Sequence, residues 1–256
     1  MRRLFGALLV VTLLWACSSD DSGVVDNPPA EGENPGTPNG ETGFERGALL
    51  ANWADNIIVP SYEAFTAEVA SMKTAFDAFK ADASEANLVA LRVSWLSAYR
   101  TWQKVSMFEI GPAETVGLRL NINIYPTDTE KIAGYLASGS YDLSLPSNRD
   151  AKGFPALDYL INGLGEDDPS IVSKFNEPGK DALIGYIDDV LADMTGLSDQ
   201  VLSEWKQGYR DTFVNADGSS ATASVDRFTN DFVFYYEKFL RAGKMGIPLG
   251  VFSGVQ

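Results

Sequence analysis

The chain of 256 residues contains no histidine and a single cysteine, Cys17. Without an imidazole, Ser-His-Asp and Cys-His catalysis, paired-histidine zinc sites and every other imidazole-dependent mechanism are excluded. With one thiol, no intrachain disulfide and no cysteine-rich metal site can form. Basic residues are also scarce. Lys and Arg number 20 against 35 Asp and Glu, giving a formal charge of −15, and so acidic a surface does not suit a nucleic-acid backbone. Alternating apolar and polar runs of the strand type are nearly missing; Leu120–Tyr125 is the one short candidate. No glycine-rich phosphate loop is present, because the glycines of 243–250 lack a preceding strand and a terminal Lys-Ser or Lys-Thr. A paired-carboxylate hydrolase needs two acids at a set separation, which a sequence does not display, and that reading is set aside.

What is there begins with an address. Arg2 and Arg3 precede a 12-residue apolar run, Leu4 to Trp15, which is shorter than the roughly 20 residues of a spanning helix. It ends in Leu14-Trp15-Ala16-Cys17 and resembles a bacterial lipoprotein signal peptide, residues 1–16, with lipid attached to Cys17. An ordinary secretory leader with an incidental cysteine is the alternative. Removal of 1–16, which holds two arginines and no acid, takes the charge from −15 to −17. Ser18-Ser19-Asp20-Asp21 follows, similar to outer-membrane sorting and surface-export signals. The expected location is the cell envelope, as an outer-membrane lipoprotein, on either face. Acyl chains contribute about 0.8 kcal/mol per buried CH₂, so two or more hold a protein at a bilayer. Residues 18–41 carry four prolines, four glycines and six acids, with no Lys, Arg or aromatic. Such composition cannot offset chain entropy by burial, so 17–41 is expected to be a disordered tether reaching about 25–30 Å.

Residues 42–256 are expected to fold as helices. Thr42-Gly43-Phe44-Glu45 has the form of a capping box, and an amphipathic run follows to about Ala83, with a kink or break at Pro60. Ser84 is a candidate N-cap. Behind it Leu88, Leu91, Trp95, Ala98, Trp102 and Val105 recur at intervals of three and four, one apolar stripe of a packed helix, stopped by Gly111-Pro112. A third stripe runs through Leu183, Ile187, Val190, Met194, Leu197 and Val201, with Pro178 in its first turn. A fourth starts at Ser224 and carries Val225, Phe228, Phe232, Tyr235, Tyr236 and Phe239. The aromatics of these stripes are expected in the core. The fold class is all-α, an antiparallel helical bundle. Between the second and third stripes, 111–176 is less regular: a Thr127/Glu130 capping box opens a short helix to about Ala137, 139–152 is turn-rich, and 153–160 forms a short helix with Pro155 in its first turn and Gly163 after its end. Irregular segments on a rigid scaffold are where sites gather.

Three segments together resemble the imelysin-like family of bacterial envelope proteins: Trp95-Leu96-Ser97-Ala98-Tyr99-Arg100-Thr101-Trp102-Gln103 running into Phe108-Glu109-Ile110-Gly111-Pro112; Gly153-Phe154-Pro155-Ala156-Leu157-Asp158-Tyr159-Leu160; and Glu237-Lys238 with Arg241 to Gly250. Asn121, Asn123 and Pro126 also sit where such proteins carry a polar turn. The resemblance spans about 45–253. It implies a fold of two helical bundles with the site between them, of which this chain would carry the first bundle and the motif segment. It further implies either metallopeptidase activity or a part in iron uptake. The second segment aligns with the family's GxHxxE motif, with Gly153 retained, Pro155 in place of the histidine and Asp158 in place of the glutamate.

A proline offers no ligand atom, so any ion here would be held by oxygen alone. That suits hard cations such as calcium, magnesium or ferric iron better than zinc. The carboxylates the resemblance brings to the site are Asp158 and Glu109, with Glu114 a third. Asp158 serves either there or as a charge favourable to a helix start. Glu109, placed near a helix end, pairs with Arg100 or Arg119 or joins the site; Arg100 is either a buried ion-pair partner or an anion contact. Asp167 and Asp168 are expected in a solvated turn, and Asp188 and Asp189 facing water. The reading that follows is a non-catalytic envelope lipoprotein, binding a metal species or an outer-membrane partner in iron or metal uptake. The alternatives are a metallopeptidase with an oxygen-only metal site, and a surface interaction protein.

Overall fold

A computed structural model describes residues 45–241, all within one compact unit. The leader, the tether and Thr42 of the expected capping box lie outside the described residues, as does everything after Arg241.

The first helix, α1 (Arg46–Trp53), runs through a π turn (Ala54–Ile58) into α2 (Val59–Ala81). Pro60 comes just after the expected interruption, which takes the form of this π turn. It stands in the first turn of α2, where the wider π turn before it accommodates a residue without an N–H. Along α2, Tyr62, Phe65, Val69, Met72, Phe76 and Phe79 are buried, the three-and-four spacing of one core face. After a turn at 82–84, α3 (Glu85–Val105) folds back against α2. Ser84 is its N-cap, but its hydroxyl bonds to Asp82 Oδ2 at 3.2 Å rather than capping the helix. From α3, Leu88, Leu91, Ala98, Trp102 and Val105 enter the core.

Two short helices follow, α4 (Pro112–Val116) and α5 (Leu118–Ile122). The expected strand at 120–125 is thus partly helical, and no strand occurs among the described residues. Leu118 and Ile122, four apart, point into the bundle while Leu120 is exposed, which one helical turn satisfies and a strand, with 118, 120 and 122 on one face, does not. Helix α6 (Thr129–Ser138) begins one residue later than the Thr127/Glu130 box requires. Asp128 is the N-cap, accepting from Lys131 N at 2.9 Å, and Thr127 Oγ1 instead donates to Asp150 O at 2.7 Å.

A 3₁₀ turn (Pro146–Ala151) leads into α7 (Gly153–Asn162), then α8 (Asp168–Lys174) and the long α9 (Lys180–Glu204). Pro178 precedes α9 rather than sitting in its first turn, and Gly179, at φ 96°, is the N-cap. A π turn (Trp205–Tyr209) and α10 (Arg210–Asn215) continue α9, and α11 (Ser224–Tyr235) leads into a final π turn (Tyr236–Arg241). Helix α2 packs on both α3 and α9; α7 lies against α3 and α9. The result is the expected helical bundle, with α4 to α8 arranged around one side of α9 and α3. No helix of the described residues is long and apolar enough to cross a membrane.

Candidate functional site

Helix α7 starts in a constrained way. Gly153 has φ 73°, and a Cβ placed on it would lie 2.1 Å from Ile122 O. Only glycine fits a positive φ with a neighbouring backbone this close. Before it, Lys152 is 2% exposed; its ammonium donates to Leu143 O at 2.8 Å and to Asp193 Oδ2 of α9 at 2.9 Å. A buried ammonium is stable only when so paired. Ala151 O accepts from the buried Tyr186 hydroxyl. These contacts fix the start of α7 to α5 and α9. Pro155 is the third residue of the helix, where its lack of an N–H leaves no intrahelical bond unmade.

The outer side of α7 forms one wall of an open pocket of about 410 Å³. Phe154, Pro155, Asp158 and Tyr159 come from α7, Trp95 and Tyr99 from α3. Asn123, Tyr125, Thr127 and Thr129 complete the lining. Trp95 and Tyr99 stack with centroids 5.2 Å apart and planes 9° apart, and Phe154 packs edge-on against both. Trp95 Nε1 donates to Phe154 O at 3.2 Å, which fixes the indole. Tyr125 is 86% exposed at the rim. Asp158 is exposed and accepts from Asn162 Nδ2 at 2.8 Å. Half of the lining is aromatic, and it includes no Lys or Arg.

Glu109 belongs to a different cluster. It lies past the end of α3, not within the helix, and its carboxylate accepts from Arg119 N at 2.9 and 3.1 Å. Of the two partners left open, Arg119 is the one the structure selects. That guanidinium, on a residue only 8% exposed, also meets Asp231 of α11 at 3.0 Å and donates through Nε to Ser106 O at 2.8 Å. Tyr62, its hydroxyl bonded to Phe108 O at 2.9 Å, lies within reach of the same charges. Burial pushes the Glu109 carboxyl up to about 7, against the pull of Arg119, with Asp231 and Glu114 adding to the rise. Burial likewise raises the Tyr62 phenol.

Several sequence expectations change. Glu109 does not line the Asp158 pocket. Arg100 is exposed and forms no ion pair with another described residue, so it is not a buried partner; it lies on the solvent side of α3. Glu114 pairs with Arg227 at the surface. Asp167 caps α8 through Ser170 N at 2.9 Å, and Asp168 pairs with Arg92 at 2.6 Å, so that turn is more structured than a solvated loop. Asp188 pairs with Lys80 at 2.9 Å, while Asp189 is exposed and accepts from Tyr141. Trp95 is not in the core but half-buried in the pocket wall. Tyr99 and Tyr159, which line the same pocket, carry no site expectation from the sequence, although Trp95 and Tyr99, four apart, necessarily share a helix face.

A hard cation held by protein takes about six or more oxygens. Among the described residues no three of Asp, Glu, His or Cys gather to hold an ion, and the pocket lends one carboxylate. Glu109 is already committed to Arg119. The described residues do not fit a resident metal centre.

The model of the imelysin peptidase family matches residues 58–255. The chain belongs to the imelysin family. The match takes in α2 to α11 and both clusters described above. A curated relative, the iron-regulated protein A of Synechococcus elongatus, is 24% identical over 187 residues, covering 69% of this chain and 48% of that protein. The chain thus spans about half the length of this imelysin relative. Two solved structures share the fold. One, described as an iron-regulated protein A precursor of Parabacteroides distasonis, has TM-score 0.58 and 19% identity, covering 75% of this chain and 56% of the other. The other, an imelysin-like protein of Psychrobacter arcticum, has TM-score 0.60 and 16% identity, covering 75% and 60%. In this imelysin chain the segment that resembles the motif forms α7, and Gly153 at its start is required by the close approach of Ile122 O.

Proposed function

We propose that this imelysin-family chain is a non-catalytic binding component of the cell envelope, linked to iron or metal uptake, with its ligand site in the α7 pocket. The observation that carries the reading is the composition of that pocket. The motif's histidine position holds Pro155, and the walls supply aromatic faces, hydroxyls, an amide and one carboxylate rather than a ligand set or an acid–base pair. Such a pocket binds and orients a molecule; it has no group in hydrogen-bond reach of a second titratable partner for proton transfer. The link to iron is supported by kinship with proteins named as iron-regulated. The envelope setting is supported by the leader and Cys17, where lipid would tether the domain at the outer membrane, beside an uptake partner.

The test is physiological. Expression is measured in iron-replete and iron-starved cells, and a deletion strain is grown under iron limitation with either the native gene or the Tyr99→Ala variant. The expected result is induction by starvation and a growth defect rescued by the native gene alone. A deletion strain that grows like its parent under iron limitation contradicts the proposal.

A further inference from the structure

The α7 pocket combines features that together select one class of ligand. Five of its ten lining residues are aromatic, the carboxylate of Asp158 stands at the exposed side, and no Lys or Arg lines it. An anion would find no positive partner there, and a bare metal ion would find one carboxylate where it needs many oxygens. A cation wrapped in carbon is different. It keeps little water, so it gives up little on entry, and it is attracted both by ring faces and by a nearby carboxylate. The site is also prepared for it: the Trp95 indole is fixed by its bond to Phe154 O at 3.2 Å and by its stack on Tyr99 at 5.2 Å. The exposed ring of Tyr125 stands at the rim. The chain's charge of −15 draws cations toward the molecule as a whole.

From this we infer that the pocket binds a small molecule through an organic ammonium group, held between the aromatic walls and Asp158. The inference rests on the reading that this pocket is the ligand site and adds the chemistry of what enters it.

The experiment uses the full chain and two probes of equal shape: choline, and 3,3-dimethylbutan-1-ol, in which a neutral carbon replaces the charged nitrogen. Binding is followed by calorimetry and by NMR shifts of the Trp95 indole, with Trp95→Phe used to assign the signal. The proposal expects choline to bind at least about tenfold more tightly than the alcohol. Asp158→Asn should weaken choline by about tenfold and leave the alcohol unchanged, with an unaltered unfolding temperature because Asp158 is exposed. Equal binding of the two probes would make the pocket merely apolar and overturn the proposal. So would no binding of choline, or an Asp158→Asn variant that binds it as before. In each of these cases the iron-limited growth result stands or falls by itself, so the two readings fail separately.

Discussion

At the scale of single residues, the charges inside the bundle are there to hold helices, and one of them makes stability depend on pH. Glu109 is largely buried beside Arg119 and Asp231, and burial raises its carboxyl from 4.5 to about 7. The folded chain therefore binds this proton at higher pH than the unfolded chain does. Its contribution to stability is fully present below about 4.5 and is lost as pH rises through about 7. Glu109→Gln, which carries no titrating group, should remove that loss. Between about pH 5 and pH 8 the unfolding free energy of the native chain, relative to the variant, should fall by about 2–3 kcal/mol. Denaturant melts of both proteins at the two pH values measure this; identical pH slopes would contradict the account.

At the scale of elements, the position of α7 rests on a glycine and a buried lysine. Gly153→Ala would push a methyl group into Ile122 O at a φ of 73°, so it should cost about 2–4 kcal/mol and lower the melting temperature by roughly 5–15 °C. Gly134 in α6 is the control, since a Cβ there meets nothing within 4 Å, and Gly134→Ala should be neutral or stabilising by up to about 1 kcal/mol. Equal effects at the two sites would show that the Ile122 contact is not what Gly153 serves. The elements themselves were legible where periodicity is long. The stripe of α3 names five of its six buried residues, because a packed helix must present one apolar face. That of α9 names five of eight and misses Tyr186, Leu191 and Ser198, since a helix packed on several neighbours buries more than one stripe. The stripe of α11 misleads: Phe228 stacks on Trp53 at 4.6 Å, but Phe232, Tyr236 and Phe239 are exposed. Helix α11 is held through Phe228, which packs on Trp53, Phe108 and Phe213, through the buried Tyr235 and through Asp231, so Phe232, Tyr236 and Phe239 stay outside. The site was half legible. Gly153, Pro155 and Asp158 mark α7 in the sequence, and Asp158 and Pro155 line the pocket. The pairing of Lys152 with Asp193, and the meeting of Trp95, Tyr99 and Tyr159 with Asn123 and Thr127, depend on how α3, α7 and the 123–129 segment pack, which no local pattern encodes. Glu109 was placed at the end of a helix; the chain leaves α3 at Val105, and the carboxylate caps the start of α5 through Arg119 N instead.

At the scale of the whole molecule, the imelysin-family bundle sets α7 against α3 and α9 with a pocket on its outer side. That pocket offers five aromatic residues and one carboxylate rather than a set of metal ligands. Binding without hydrolysis is the central claim. Its most direct test is a protein-cleavage assay on the full chain, native and Asp158→Ala, run with calcium, ferric iron or zinc added and with a chelator. The account predicts no cleavage above the Asp158→Ala background under any of these conditions. Turnover that a chelator stops and Asp158→Ala abolishes would contradict it.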